Sequence, residues 1–112
     1  VGVNVAFYPD DADRPATSLS ALGAPVSVGE LISAYVGRVA DWLPVWEAQG
    51  FAPVRDAWLR RAYGIGAPVI ARLTERTLEG MFVGLDDDGS LVLREAGGME
   101  HRIGAGEVFF KA

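Results

Sequence analysis

The sequence predicts an α+β protein in which two helices precede a small antiparallel β-domain of five strands. Residues 27–62 carry apolar side chains at helical spacing, whereas from Gly64 onward apolar and polar residues alternate with a period of two. Asp88-Gly89 and Gly97-Gly98 mark tight turns between the alternating runs, because these residue types accept positive φ at low cost. The change of period therefore separates a helical first part from a β-rich second part.

Composition limits the classes of function. The chain has 112 residues with 15 acidic and 10 basic side chains, and its formal charge of -5 argues against a nucleic-acid surface, which needs clustered Lys and Arg. With no cysteine and one histidine, it cannot form disulfides, and we expect no metal site. No apolar run reaches the roughly 20 residues of a membrane span, and no signal peptide opens the chain. We expect a soluble, cytoplasmic protein with no membrane contact.

The chain opens on an apolar run, VGVNV, which predicts a strand at residues 1–5. The backbone N–H and C=O groups of a strand need neighbouring strands, and the pattern of residues 6–62 supplies none. We therefore expect that this chain is the C-terminal part of a longer protein, whose preceding residues pair with the strand.

Two helices are expected next. Ser27 and Glu30 have the spacing of a capping box, in which each side chain accepts a hydrogen bond from the other residue's backbone N–H. The helical pattern then continues to about residue 49, and Pro44 predicts a kink within it. A second helix is predicted at about residues 52–62, with Pro53 in its first turn.

The aromatic residues and the histidine have structural interpretations. Trp42, Trp46 and Trp58 lie at helical core spacing, so we expect them to pack between the two helices. His101 has no serine, cysteine or acidic residue at the spacing of a catalytic triad. We expect it at an exposed position of a barrel strand, without a catalytic role.

The alternating region predicts strands at residues 67–73, 78–85, 90–95, 99–103 and 107–111. Short strands in an open sheet leave unpaired edges, and closure into a barrel removes those edges. We therefore expect residues 63–112 to form a small antiparallel barrel that is closed or nearly closed.

Several short motifs follow one another across nearly the whole chain. They are Gly2-Val3-Asn4-Val5, Ala16-Thr17-Ser18-Leu19, Gly50-Phe51-Ala52-Pro53 followed by Trp58, the segment from Glu79-Gly80 through Gly84-Leu85-Asp86 to Asp88-Gly89-Ser90-Leu91-Val92-Leu93, and Gly104-Ala105-Gly106-Glu107-Val108. In this order and spacing the chain resembles the C-terminal half of biotin protein ligases, the biotin–[acetyl-CoA-carboxylase] ligase family. No residue matches that family's Gly/Arg-rich biotin loop or its lysine-containing strand motif, which the resemblance places upstream of residue 1.

The resemblance implies a fold and a reaction. Residues 1–62 would be the terminal strand and two helices of a class II synthetase-like catalytic domain, and residues 63–112 an SH3-like C-terminal domain. The full-length enzyme would form biotinyl-5′-AMP from biotin and ATP with Mg²⁺, and a lysine of a biotin carrier protein domain would then attack this adenylate. The segment alone, which contains none of the family's catalytic residues, is expected to be inactive and to bind neither substrate. The resemblance leaves open whether the enzyme forms a homodimer.

The resemblance also implies nucleotide-binding residues near both ends of the chain. The strand with Gly2 and Asn4 would line the nucleotide pocket, where a side-chain amide can both donate and accept hydrogen bonds. Glu107 and Lys111 share one face of the last strand and would approach ATP from the C-terminal domain. The residues alone also allow structural roles. Asn4 would then lie at an exposed strand edge or cap the backbone, and Glu107 and Lys111 would form a weak ion pair on a solvated strand face.

Residues 6–17 resemble the family's adenylate-covering loop, which closes at Thr17. Phe7 or Tyr8 would stack on the purine or close over it, although a solvated loop with an aromatic anchor fits the same residues. The three aspartates of this loop would repel phosphate, so no metal site is expected among them.

Two other functions remain open. The chain fits a non-catalytic binding module whose SH3-like barrel docks a biotin carrier domain, and it fits a relative of the lipoate ligases. The residues that recognise the acid, and any N-terminal DNA-binding domain, would lie upstream of residue 1 in the family.

Overall fold

The computed structural model describes residues 2–12 and 15–111. It has two compact units, Val1–Pro44 and Val45–Ala112, which we call the N-terminal and the C-terminal unit. The first residue of the predicted opening strand and two residues of the predicted covering loop, at positions 13 and 14, lie outside the described residues. No helix in the described part is long and apolar enough to span a membrane.

Helix α1, Val28–Gln49, begins at the predicted capping box. The Ser27 backbone N–H donates to Glu30 Oε2 at 2.8 Å, and the Glu30 backbone N–H donates to Ser27 Oγ at 3.2 Å. The Ser27 backbone N–H is the main cause that lowers the pKa of the Glu30 carboxyl. Pro44 lies inside the helix, and the kink expected there stays a prediction. The capping box itself is confirmed.

The predicted opening strand is wrong for the described residues. Residues 2–4 have no regular secondary structure, and a bend follows at residues 5–6. The carbonyl oxygens of Asn4 and Val5 accept from the backbone N–H groups of Leu19 and Ser20, each at 3.0 Å. A strand needs a ladder of such bonds, and a contact of two residues is too short to form one.

Helix α2, Ala52–Leu59, begins as predicted and ends three residues before residue 62. The two residues after Arg60 donate their backbone N–H groups to carbonyls three positions back, at 2.9 and 3.3 Å. Bonds of this i→i−3 type tighten the chain and end the α-helical turn. The Arg55 guanidinium forms an ion pair with Asp87, so the helix is connected to the turn after the second strand.

The interhelical packing predicted for the tryptophans is wrong. Trp42, Trp46 and Trp58 are 38%, 56% and 48% exposed. The Trp58 ring contacts the edge of Phe82 in the sheet, with ring centroids 6.3 Å apart. Helical spacing indicates which side of a helix is apolar, but it does not tell which neighbouring element covers that side.

Five strands follow, each within one residue of its predicted bounds. They are β1 Pro68–Arg72, β2 Thr77–Leu85, β3 Leu91–Arg94, β4 Glu100–Ile103 and β5 Glu107–Phe110. They form one antiparallel sheet in the order β4-β3-β2-β1-β5. The core lies on one face of it and consists of Val69, Ala71, Leu78, Phe82, Leu93 and Ile103.

Closure of the barrel is not observed, because β4 and β5 are the two edges of the sheet and do not pair within the described residues. Residues 104–106 nevertheless connect these edges, and they allow at most about 14 Å between the strand ends. A flat sheet of this width would separate its edges by about 19 Å. The sheet is therefore strongly curled but open. Short edge strands limit exposed edges without closure, and β4 and β5 have four residues each.

Gly80 allows β2 and β3 to approach closely. A Cβ atom at this position would lie 2.5 Å from the Arg94 carbonyl oxygen and 2.5 Å from Leu93 Cδ2. Distances this short are not tolerated, and the backbone oxygen cannot rotate away as a side chain would. Only glycine fits here without moving a strand.

Candidate functional site

In the N-terminal unit, hydrogen bonds hold the segment around Asn4 against residues 17–21. Asn4 Nδ2 donates to the Thr17 carbonyl oxygen at 3.1 Å. Ser18, which is 2% exposed, donates its hydroxyl to the Ala6 carbonyl at 3.3 Å and accepts from the Ala21 N–H at 3.2 Å. The structure thus brings together two of the predicted nucleotide-binding residues, Asn4 and Thr17.

The Asn4 side chain has two different ends. Its N–H₂ group caps the backbone, as one of the open interpretations predicted. Its carbonyl oxygen Oδ1 has no protein partner among residues 2–12 and 15–111, and the residue is exposed. An amide oxygen in this state can accept a hydrogen bond from a ligand, while the capping bond fixes the orientation of the amide plane.

The remaining predicted residues of this unit are open to solvent. Apart from its chain neighbours, no atom of the described residues lies within 4 Å of the place where a Cβ of Gly2 would be, so a ligand can approach the backbone there. Phe7 is 88% exposed and Tyr8 is 42% exposed. Neither ring is buried as an aromatic anchor of the loop, and both faces of Phe7 are accessible for stacking.

An apolar cavity of about 280 Å³ lies between the segment on either side of Asn4 and the first turns of α1. Its lining consists of Val3, Val5, Val28, Leu31, Ile32 and Tyr35. Helix α1 has no buried residue. The sequence analysis did not predict this cavity. The signal that could have indicated it is the apolar face of α1, whose residues form part of the lining.

In the C-terminal unit, Glu107 and Lys111 lie on the face of the sheet opposite the core. Glu107 is the cross-strand partner of Arg72, and the Lys111 backbone N–H donates to the Pro68 carbonyl at 3.1 Å, directly after the end of β5. Residues 107, 109 and 111 alternate with the inward-facing Val108, as the β-period predicts. This confirms that the two charged residues share one face.

Lys111 is paired with Glu79, which sequence analysis did not identify as a functional residue. Lys111 Nζ lies 2.6 Å from Glu79 Oε2. Glu79 is in β2 and Lys111 follows β5, and both strands flank β1. The pair therefore crosses over β1, and no sequence signal finds it unless the strand order is known. Glu107 forms no ion pair with any described residue.

Arg72 and Phe109 complete this outer face. The Arg72 guanidinium carbon lies 4.5 Å from the centre of the Phe109 ring, a cation–π contact. Charged and aromatic side chains of β1, β2 and β5 thus lie side by side on a solvent-facing surface.

The turn between β2 and β3 has a structural role. The Ser90 N–H donates to Asp88 Oδ1 at 2.8 Å and to Asp86 Oδ1 at 3.0 Å. The Ser90 side chain, followed by Asp86 and the Ser90 N–H, lowers the pKa of Asp88 to about 2. Asp86 also pairs with Arg102, whose Nε lies 3.0 Å from Asp86 Oδ2. These contacts fix the hairpin of the family-like motif.

His101 differs from its predicted exposed position. Its side chain is 15% exposed, and Nε2 lies 3.1 Å from Glu95 Oε1 at an angle that does not make a hydrogen bond. The strand β4 turns this side chain toward the end of β3 rather than into solvent. Within residues 2–12 and 15–111, no three His, Cys, Asp or Glu side chains could hold a metal ion together.

The sequence matches a known family and known proteins. Residues 64–111 match the family model described as "Biotin protein ligase C terminal domain". A biotin–[acetyl-CoA-carboxylase] ligase from Paracoccus denitrificans is 38% identical over 116 residues, covering 98% of this chain and 48% of that protein. A bifunctional ligase/repressor BirA from Bacillus subtilis (strain 168) is 30% identical, covering 89% of this chain and 32% of that protein.

Solved structures share the fold. The apo biotin protein ligase from Aquifex aeolicus matches 99% of this chain and 50% of its own with a TM-score of 0.79 and 21% identity. The same enzyme in complex with biotin and ATP matches 99% and 48%, with a TM-score of 0.81 and 20% identity. At these identities the two structures show the fold alone. This chain spans about half the length of that ligase and of the Paracoccus relative. Over nearly its whole length this chain is similar to biotin protein ligases, and its residues 64–111 match the C-terminal domain of that family.

Proposed function

We propose that this chain is the C-terminal half of an ATP-dependent biotin protein ligase, which forms biotinyl-5′-AMP and transfers biotin to a lysine of a carrier protein domain. The observation that carries the proposal is the 38% identity, over 98% of this chain, to a biotin–[acetyl-CoA-carboxylase] ligase. Biotin and ATP are the substrates, and Mg²⁺ enters with the phosphates of ATP rather than at a site of its own. The catalytic residues lie outside these 112 residues.

In the N-terminal unit, Gly2, Asn4 and Thr17 would contact the adenylate and Phe7 and Tyr8 would cover it. The support is the open approach to the Gly2 backbone and the Asn4 Oδ1 atom that lacks a protein partner in the described part. The Thr17 carbonyl holds the Asn4 amide in place. The exposed Phe7 ring has a face free for the purine.

In the C-terminal unit, Glu107 and Lys111 would contribute to the nucleotide site from the outer face of the sheet. An ammonium group has three donors, and the contact with Glu79 occupies one of those on Lys111. The other two remain for nucleotide oxygens. The Glu107 carboxylate, without an ion-pair partner in the described part, can accept from a ligand hydroxyl or amino group.

The finer fold assignments belong to the same proposal. An SH3-like domain at residues 63–112 is supported by five antiparallel strands and by the curl that residues 104–106 require. A domain boundary after residue 62 is supported by the family match, which begins at residue 64. A class II synthetase-like origin of residues 1–62 is supported by the fold that 99% of this chain shares with half of a biotin protein ligase chain.

The proposal is tested with two proteins: a full-length ligase in which this chain is the C-terminal half, and the 112-residue chain alone. The full-length protein should catalyse biotin-dependent exchange between ATP and pyrophosphate, and it should then label a biotin carrier domain. The chain alone should do neither. Exchange by the chain alone would refute the proposed division of the site, and exchange that depends on lipoate instead of biotin would assign the protein to the lipoate ligases.

The expected partners are tested in the same preparation. Size-exclusion chromatography with light scattering tests for a homodimer, and fractionation of the source cells tests for the cytoplasm. Binding of the carrier domain by a full-length protein that exchanges no pyrophosphate would support a non-catalytic docking module instead.

A further inference from the structure

We infer that Glu79 is a positioning residue for Lys111, an inference that rests on the proposed function of Lys111 at the nucleotide site. Glu79 Oε2 lies 2.6 Å from Lys111 Nζ. Glu79 lies on β2 and Lys111 lies beyond the end of β5, with β1 between them. The contact therefore fixes the direction in which the Lys111 side chain projects.

The pair is unsuited to a purely stabilising role. Its side chains are 40% exposed for Lys111 and 59% exposed for Glu79. Ion pairs with this exposure contribute little to folding, because water and salt screen them. Such a pair can still restrict the rotamers of a long flexible side chain. Each rotamer that is excluded before binding lowers the entropic cost of binding.

The geometry leaves Lys111 able to bind an anion while it is held. Its backbone is anchored by the hydrogen bond from its N–H to the Pro68 carbonyl at 3.1 Å. The Glu79 carboxylate anchors the other end of the side chain. One N–H of the ammonium is directed to Glu79, and the two others are available to phosphate oxygens. Glu79 thus acts through Lys111 and does not itself touch the nucleotide.

The experiment uses a full-length ligase that carries this chain and measures steady-state kinetics with ATP and biotin varied separately. Glu79→Ala should raise the KM for ATP about 2- to 10-fold, the range for ordering one side chain on binding. The KM for biotin and kcat should stay unchanged. Glu79→Gln, which keeps a neutral acceptor of the same length, should give a KM for ATP between those of wild type and Glu79→Ala.

A double-mutant cycle separates positioning from an independent effect. Lys111→Met should raise the KM for ATP, and Glu79→Ala combined with Lys111→Met should raise it no further. The matched control is Glu100→Gln, which removes the Arg94–Glu100 ion pair of 2.7 Å on the same face of the sheet. This control should leave the KM for ATP at the wild-type value.

Each outcome distinguishes the inference from the proposed function. If Lys111→Met leaves the KM for ATP unchanged, the proposed role of Lys111 fails. If Lys111→Met raises it but Glu79→Ala does not, only the positioning inference is overturned. A lower KM in Glu79→Ala would also overturn it, because Glu79 would then compete with the phosphates. Additive effects in the double variant count against it in the same way, and urea unfolding of each variant identifies a loss of fold.

Discussion

Asn4 and Thr17 are thirteen residues apart in sequence and joined by a hydrogen bond of 3.1 Å from the Asn4 side-chain amide to the Thr17 backbone carbonyl. The bond connects the opening segment to the end of the loop that follows it. Because the acceptor is a backbone oxygen, the contact depends on the side chain at position 4 and not on the side chain at position 17. The same amide presents its oxygen to solvent.

Asn4→Ala should therefore change two measured quantities. Loss of the exposed hydrogen bond should lower the free energy of unfolding by about 0.5–1.5 kcal/mol. Loss of the free Oδ1 should weaken ATP binding by the full-length protein roughly 3- to 100-fold. Urea unfolding measures the first effect and titration calorimetry the second. Thr17→Ala keeps the carbonyl acceptor, so its unfolding curve should match that of wild type. Unchanged ATP affinity in Asn4→Ala would remove Asn4 from the nucleotide site.

The capping box should stabilise α1 in a pH-dependent manner. Ser27→Ala removes the acceptor for the Glu30 N–H and should cost about 1 kcal/mol of stability. The pKa of Glu30 is lowered in the folded state, mainly by the Ser27 backbone N–H. Its contribution is therefore complete above the ordinary pKa of a glutamate and disappears as the pH falls through the lower folded-state pKa. Glu30→Gln should be less stable than wild type at pH 7 and equal to it in strong acid, as followed by circular dichroism.

Gly80→Ala should destabilise the C-terminal unit by about 1–3 kcal/mol, because the added methyl group collides with the backbone of β3. Gly97→Ala is the matched control, since no atom lies within 4 Å of its Cβ position and its φ is not positive. It should be neutral in the same denaturant titration. Equal stability of the two variants would show that β2 and β3 are farther apart than described.

Asp88 should stabilise the β2–β3 turn only while it is ionised. Its folded-state pKa of about 2 is lowered from the ordinary value of 3.8, first by the Ser90 side chain, with Asp86, the Ser90 N–H and Arg102 also contributing. A lowered pKa gives stability that is present above about pH 4 and is lost as the pH falls toward about 2. Asp88→Asn should therefore be less stable than wild type at pH 7, and the difference should vanish only below about pH 2, where the carboxyl is protonated in both states. A difference that persists there would exclude the carboxylate as its cause.

The described part of the covering loop should exchange its amide hydrogens quickly. Within the described residues, no backbone hydrogen bond connects residues 7–12 to another segment, whereas several backbone N–H groups of residues 19–24 are donors. Hydrogen exchange followed by mass spectrometry should show early labelling of the first peptide and delayed labelling of the second. In the full-length protein, biotin and ATP together should slow exchange in residues 7–12. Slow exchange without ligand would contradict the covering role.

Local chemistry made much of the fold predictable. The capping box depends on two residues three positions apart, and the strand bounds depend on alternation within short runs. Turn glycines act through their own φ angles, of which Gly89 at 88° and Gly98 at 86° are examples. The predicted positions of the candidate residues on one face of β5 follow from the same period of two. In each case the residues that decide the feature are neighbours in the sequence.

Features that depend on distant residues were decided by the tertiary structure. The opening segment is not a strand among the described residues, because a strand is defined by its partners and not by its own apolar pattern. The sheet is open within the described residues because its edge strands β4 and β5 do not pair, and local alternation does not specify which strands pair. The exposure of the tryptophans could not be predicted, because helical spacing does not show whether another element covers a helix face. Lys111 meets Glu79 because β2 and β5 both lie next to β1. Local patterns in the sequence thus predict the separate elements and the resemblance to biotin protein ligases. The order of the strands decides which side chains meet, since it brings together residues that are far apart in the chain.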